Sequence, residues 1–151
     1  MAAEIRFFEE ADAPALLALY KSAGHWFEDV DVNLEFILSS SQRPDFRFIV
    51  AEESGKLGGF VGALYFPLVG RAELGPIAVA EDLRGKGVGG MLKRAMAEYL
   101  AEKGIKRVYV KVKASNQQAI RFFLGEGFRH EAYLRNHTLQ GEDVLQMTAD
   151  L

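Results

Sequence analysis

The residues best suited to chemistry lie in one glycine-rich segment, which we call the glycine turn. Its members are Arg84, Gly85, Lys86, Gly87, Val88, Gly89 and Gly90. Glycines leave backbone N–H groups uncovered, and at a helix N-terminus these donors have no intrahelical acceptors. The helix dipole and the two basic side chains add positive charge. The glycine turn is therefore predicted to bind a pyrophosphate.

Other phosphate-binding motifs fit this segment less well. Gly85, Gly87 and Gly90 satisfy the loose G-x-G-x-x-G pattern, but a dinucleotide site needs an acid at the end of the next strand to hold the ribose. The next strand, at 106–113, contains no acid. The P-loop pattern fails because no Gly-Lys pair precedes Ser or Thr. A dinucleotide-binding redox module is thus disfavoured, and a flexible turn before a helix is the plain structural alternative.

The elements around the glycine turn follow from hydrophobic periodicity. Alternation and turn signals predict strands at 5–8, 46–52, 57–66, 71–79, 106–113, 128–134 and 144–151. Helical spacing predicts helices after a cap at Asp12, around 32–39, at 88–103 before Gly104, and at 117–124. This order mixes antiparallel meanders with one central β-α-β unit. It predicts a single α/β domain over residues 1–151 with a mixed sheet, rather than a doubly wound parallel sheet.

Composition excludes several classes of function. The chain has 151 residues and a net charge of −3, with no cysteine, so disulfides and thiolate chemistry are excluded. The acidic balance disfavours a nucleic-acid partner, and no apolar run predicts a membrane span. The acids near the start do not resemble a signal peptide, so we expect a cytoplasmic protein. His25, His130 and His137 are scattered without metal-ligand spacing, and no metal is expected.

Two motifs resemble signatures of the GNAT superfamily of acyl-CoA-dependent N-acetyltransferases. The spacing Arg84-x-x-Gly87-x-Gly89 resembles its Q/R-x-x-G-x-G/A pyrophosphate motif. Asn116 and Ala119, with an aromatic pair and Gly-Phe after them, are similar to its second signature. Residues 74–79 look like its fourth strand, where a bulge splays the sheet. The resemblance implies a mostly antiparallel sheet splayed at the fourth strand, flanked by about four helices.

The resemblance also implies a site for acetyl-CoA as co-substrate. The implied partners are the backbone of Ile77, Ala78 and Val79 along the pantetheine arm, the amides of 85–90 at the pyrophosphate, Asn116 on the arm and Phe123 near the thioester sulfur. A pantetheine amide does need strand-edge partners, and a splayed strand end exposes them.

Acetyl transfer to an amine also needs a base, because a primary amine of pKa about 10.4 is mostly protonated at pH 7. Glu73 is the candidate: counted along an unbroken strand, it shares a face with Gly75 and Ile77 and would point into the cleft. A solvated carboxylate is the alternative. The backbone N–H of Val79 could polarise the carbonyl.

The general acid has no clear candidate. Many family members carry a tyrosine where this chain has Phe123. Tyr65 and Tyr133 carry the other phenols considered for this role, but a structural role in the core or at the rim of the site is the simpler interpretation. A coenzyme A thiolate leaves readily enough for water to protonate it. The departure keeps open a non-catalytic acyl-CoA-binding sensor or interaction domain.

The acceptor is expected near the first helices. Trp26 and Phe27 could form an apolar wall, while Glu28 and the nearby acids could attract an ammonium group. This pattern suggests a small cationic amine or a peptide N-terminus as substrate, although a solvated acidic loop fits equally. Lys111 and Lys113 form a basic strand face, either solvated, paired with acids or near the 3′-phosphate of the coenzyme. A homodimer is left open.

Overall fold

The computed structural model describes residues 3–27 and 31–151, which form seven strands and four α-helices. The strands are β1 Glu4–Phe7, β2 Phe46–Glu53, β3 Lys56–Phe66, β4 Arg71–Val79, β5 Arg107–Lys113, β6 Arg129–Leu134 and β7 Val144–Asp150. The helices are α1 Ala13–Ser22, α2 Leu34–Ser41, α3 Val88–Glu102 and α4 Gln117–Gly125. Each predicted element is present with ends within two residues of those expected, so the α/β prediction is confirmed.

All seven strands belong to one mixed sheet. Its spatial order is β1-β2-β3-β4-β5-β7-β6. The β4–β5 pair is parallel and every other neighbouring pair is antiparallel. Parallel neighbours need a crossover connection, and α3 provides it. The parallel pair at the centre is where the sheet opens.

Helices cover the two faces of the sheet. Ile49 belongs to one core cluster together with Leu92 of α3, whereas the next residue, Val50, belongs to a second cluster with Leu16 of α1 and Ile37 of α2. Successive strand residues point to opposite faces, so β2 and β3 read as continuous apolar runs covered on both sides.

A β-bulge in β4 lies at the centre of the sheet. Val61 pairs with Ile77, and Ala63 pairs with Leu74, so β4 uses three residues where β3 uses two. The extra residue falls at the Gly75-Pro76 step, and proline has no N–H to give to a neighbouring strand. Beyond this bulge β4 stays paired with β3 but no longer with β5.

Asp12 stands at the cap position of α1, as predicted, but its side chain makes no cap hydrogen bond to that helix. One carboxylate oxygen instead accepts the Glu9 backbone N–H at 2.7 Å, and the two oxygens accept the Arg6 guanidinium at 2.9 Å each. This ion pair ties β1 to the chain entering α1. The bonds from Arg6 lower the pKa of the Asp12 carboxyl below its usual range.

We expect Asp12→Asn to lower the free energy of unfolding by about 1–3 kcal/mol at pH 7, because the Arg6 guanidinium loses one of its two charged partners and keeps only Glu52. A carboxyl with a lowered pKa contributes stability above its unfolded pKa, and that stability is lost as the pH falls through the folded value. The difference between the two proteins should therefore shrink at pH 3. Urea unfolding at both pH values measures it. Asp45→Asn, at an exposed pair with Arg43, is the control and should change little; an equal loss there would contradict the assignment.

Candidate active site

A cleft of about 410 Å³ opens where β4 and β5 part. The two strands pair at only three positions, the last being Glu73 with Tyr109. β4 then continues to Val79 and β5 to Lys113 without further pairing to each other. Residues of both strand ends, the glycine turn, α4 and the segment after α1 line this cleft. The predicted splay at the fourth strand is confirmed.

The edge of β4 that faces the cleft is free of ladder bonds. The Ala80 N–H donates to the Gly58 carbonyl at 2.8 Å, which fixes the alternation of the β3–β4 ladder. Ala78, two residues earlier, therefore directs its backbone groups to β3, whereas Ile77 and Val79 direct theirs toward the cleft. All three residues line the cleft, but the geometry favours Ile77 and Val79 over Ala78 as backbone partners for a ligand.

The glycine turn closes one end of the cleft. Gly85 and Gly87 have φ of 77° and 81°, a region that side chains disfavour, and a Cβ on either would meet open space. The first helical bond of α3 runs from the Met91 N–H to the Gly87 carbonyl, so the amides of Gly87 to Gly90 have no intrahelical acceptor. The turn therefore presents bare donors at the positive end of a 15-residue helix.

Arg84 is the basic residue of the turn that faces the cleft. Its Nε donates to the Val79 carbonyl at 3.2 Å, which holds the guanidinium beside the free edge of β4. Lys86 is exposed and does not line the cleft.

Helix α4 forms the opposite wall. The Asn116 side chain accepts the Ala119 N–H at 3.1 Å, so its carbonyl oxygen caps α4 and only its NH₂ group remains to donate into the cleft. Phe123 is 3% exposed and packs edge-on against Phe122 and Phe128. A Cβ on Gly89 would lie 3.2 Å from the Phe122 ring, so Gly89 allows α3 and α4 to approach closely.

Glu73 lies beside the apex of the cleft rather than in its lining. The expected face is wrong: Ala72 and Leu74 belong to the core under α3, so Glu73 points to the opposite face. Ile77 packs on the α3 side because the bulge shifts the alternation by one residue. The Glu73 carboxylate accepts a hydrogen bond from the Tyr109 hydroxyl at 3.3 Å. Burial, followed by the charge of Glu73, raises the pKa of Tyr109.

The charges around the cleft are unevenly distributed. Arg84 and Lys111 are the two cations that line it, and no carboxylate does so among the described residues. The other lysine of the β5 basic face, Lys113, is buried and forms an ion pair with Glu142 at 2.9 Å. The expected pairing with a nearby acid is therefore found for Lys113 and not for Lys111.

The predicted acceptor wall is partly in place. Trp26 and Phe27 line the cleft, and the Phe27 ring packs against Tyr20 with centroids 4.7 Å apart. Glu28 lies outside the described residues. The predicted apolar wall thus stands next to the free edge of β4.

The spare phenols are engaged away from the cleft. The Tyr65 hydroxyl bonds to Tyr99 and to the Pro44 carbonyl, and burial with the Tyr99 bond raises the pKa of Tyr65 to about 12. Tyr133 is exposed and donates to Asp143 at 2.7 Å. No phenol lines the cleft in the part of the chain that the structure describes.

Neither a metal cluster nor a membrane span is found among residues 3–27 and 31–151. No group of three potential metal ligands comes together there. Every helix in those ranges is too short or too polar to cross a bilayer.

Several lining residues were not predicted as site residues. They are Ala23, Leu74, Gly75, Pro76, Leu83, Val110, Lys111, Val112, Gln118, Ala119 and Phe122. Most are apolar and carry no local signal of function. The sequence does not distinguish Lys111 from Lys113, because it does not show which of the two lysines forms an ion pair with an acidic residue.

A second, wider groove of about 690 Å³ lies between α1 and the turn that follows β4. It shares four lining residues with the cleft, Ala23, Trp26, Leu83 and Arg84. It also carries the acidic residues Glu53, Glu81 and Asp82. It contains neither the free strand edge nor the glycines of the turn. The smaller cleft is therefore the candidate active site.

The sequence and fold both match known acetyltransferases. The model of the acetyltransferase (GNAT) family matches residues 9–128. The chain belongs to this family and is an N-acetyltransferase.

Individual relatives agree with this assignment. The chain is 31% identical to an N-alpha-acetyltransferase of Sulfurisphaera tokodaii over 69% of each protein. It is 30% identical to a streptothricin acetyltransferase of Streptomyces lavendulae, over 67% of this chain and 56% of the relative. A ribosomal-protein-alanine N-acetyltransferase of Brucella melitensis has a similar crystal structure, with a TM-score of 0.85 and 28% identity over 98% of this chain and 99% of the other.

Proposed function

We propose that this protein transfers the acetyl group of acetyl-CoA to the α-amine of a peptide N-terminus by direct attack. The observation that carries the proposal is the free edge of β4 leading to the bare amides of the glycine turn. Acetyl-CoA offers groups that match both features: amides in its pantetheine arm and a pyrophosphate. When bound, it supplies an acetyl thioester whose carbonyl carbon is open to an amine.

Different residues of the cleft would bind different parts of acetyl-CoA. Ile77 and Val79 would hydrogen-bond the pantetheine arm as an added strand, and the NH₂ group of Asn116 would donate from the opposite wall. Arg84 and the amides of Gly87 to Gly90 would hold the pyrophosphate. Phe123, which lines the cleft, would pack near the sulfur.

The residues near the apex would carry the proton chemistry. Glu73 stands behind the lining and would take the amine proton through a water molecule. The N–H of Ile77, which faces the cleft and lies nearer the apex than that of Val79, would donate to the acetyl carbonyl oxygen as negative charge develops there. Since no phenol lines the described part of the cleft, water would return the proton to the departing sulfur.

Two observations favour a peptide N-terminus over a small cationic amine. Two of the relatives are named for N-alpha or ribosomal-protein-alanine acetylation. The described lining carries Arg84 and Lys111 and no carboxylate, which is an unfavourable setting for a polycation. Because one relative is a streptothricin acetyltransferase, small amines are included among the acceptors to be tested.

An amine panel tests the reaction. We expect acetyl-CoA to release free thiol with unblocked peptides, and none with the same peptides blocked at the N-terminus. Spermidine and streptothricin represent small amines. If acetyl-CoA raises the melting temperature but no amine on the panel releases thiol, the protein is an acyl-CoA-binding sensor and not an active enzyme.

The glycine turn is tested by Gly87→Val. A β-branched side chain at this position covers the amides, so the rise in melting temperature caused by acetyl-CoA should disappear. Gly55→Val is the matched control, because Gly55 has φ of 76° and open space around it but lies in the β2–β3 turn. Both variants carry the same backbone penalty, but only Gly55→Val should keep the acetyl-CoA response. If acetyl-CoA still raised the melting temperature of Gly87→Val, the glycine turn would not be part of the binding site.

The role of Glu73 is tested by Glu73→Gln. A peptide α-amine has a pKa of about 7.7–8.0, so a base matters most below that range. We expect kcat/KM to fall about 10²–10⁴-fold near pH 6.5 and the loss to shrink above pH 8.5, where the amine is already neutral. Glu4→Gln, an exposed carboxylate of β1, is the control. A pH–rate profile identical to that of the unmodified enzyme would refute the assignment.

A further inference from the structure

Lys111 is a charged side chain in an otherwise apolar part of the cleft. Its neighbours on β5, Val110 and Val112, are buried toward the core under α3. Lys111 alternates to the opposite face, where it is half-buried and lines the cleft. The fold therefore holds the Lys111 side chain half-buried at the wall of the cleft.

Lys111 has no hydrogen bond or ion pair to any residue that the structure describes. The carboxylates around it are engaged elsewhere. Glu73, on the same face, accepts from Tyr109. Glu131 accepts from Gln146, the residue opposite Lys111 on β7, at 2.8 Å. A lysine that lines the cleft without an anionic partner in the described part of the chain keeps its N–H donors available, so this site is suited to an anionic ligand.

The position of Lys111 separates that ligand from the phosphates of the coenzyme. The last β4–β5 pair is Glu73 with Tyr109, and Lys111 is two residues farther along β5. It therefore stands near the apex of the cleft. Arg84 and the start of α3 lie beyond Val79, at the far end of β4. The anion that meets Lys111 thus lies at the reacting end, where an acceptor must place its amine.

We propose that Lys111 selects the acceptor by binding a carboxylate located close to the attacking amine. This inference rests on the proposed acetyl transfer to an α-amine and specifies the chemistry of the acceptor. Two acceptors have this chemistry: a peptide whose first residue is Asp or Glu, and a free amino acid. In both, an ion pair with Lys111 would orient the amine toward the thioester carbonyl.

Three peptides identical except for a first residue of Glu, Gln or Lys test the selection, with free glutamate and alanine as the second arm. A charge-assisted hydrogen bond in a partly buried site corresponds to about 10–100-fold in kcat/KM. We expect the Glu peptide or the free amino acids to exceed the Gln peptide by that factor, and the Lys peptide to be the poorest. Which arm is preferred identifies the source of the carboxylate.

Two substitutions of Lys111 and one control complete the test. Lys111→Met keeps length and apolar contact but removes the charge, and should abolish the preference through a higher KM for the acceptor. Lys111→Glu should reverse the preference toward the Lys peptide. Lys106→Met, an exposed lysine just before β5, should behave as the unmodified enzyme. The response to acetyl-CoA in a thermal shift assay should be the same in all three.

The failure of this inference is distinguishable from failure of the proposed function. If free-amine peptides react but Glu, Gln and Lys peptides react equally, the enzyme is confirmed and the role of Lys111 is overturned. A preference that survives in Lys111→Met overturns it as well. If nothing reacts, calorimetric binding of the Glu and Gln peptides still tests Lys111, and equal affinities would contradict the inference.

Discussion

The parting of β4 from β5 after the Glu73–Tyr109 pair determines most of what this molecule can do. Each strand keeps its other partner: β4 remains on β3, and β5 remains on β7 along its whole length. The sheet therefore stays folded although its central ladder ends after three positions. Backbone groups left without partners are unfavourable unless water or a ligand satisfies them. Ile77 and Val79 thus provide a ready-made edge for an extended ligand with amides of its own.

The bulge in β4 links this opening to the chemistry beside it. One extra residue reverses which side chains face α3 beyond it, so Glu73 and Ile77 lie on opposite faces. The free edge of β4 therefore lies in the plane of the sheet, and the candidate base Glu73 projects from the face opposite α3. An acceptor could then approach from the face of Glu73 and Lys111 while the coenzyme occupies the cleft between the strands. The two substrates need not compete for one wall.

Local signals in the sequence predicted the elements and the glycine turn, but not the partners of the charged residues. Glycines before an amphipathic helix leave backbone amides uncovered whatever the rest of the fold. The anion-binding character of residues 84–90 could therefore be predicted from the sequence. Strict alternation along β4 placed Glu73 on the same face as Ile77, which is wrong. The bulge between them is defined by the pairing of β4 with β3, and the sequence of β4 alone does not show that pairing. Lys111 and Lys113 occupy equivalent positions in the alternation. Only the fold shows that Glu142, far along the chain, neutralises Lys113.

Phe123 belongs to an aromatic cluster in the wall of the cleft. The ring is 3% exposed and packs with Phe122 and Phe128, and Phe122 in turn meets the bare face of Gly89. Phe123 also lines the cleft, so the side chain at this position contributes an apolar surface and no hydroxyl. The aromatic cluster instead fixes α4 against the start of α3, which sets the width of the cleft. The charged side chains of Glu73 and Lys111 lie on β4 and β5, near the apex where the strands part.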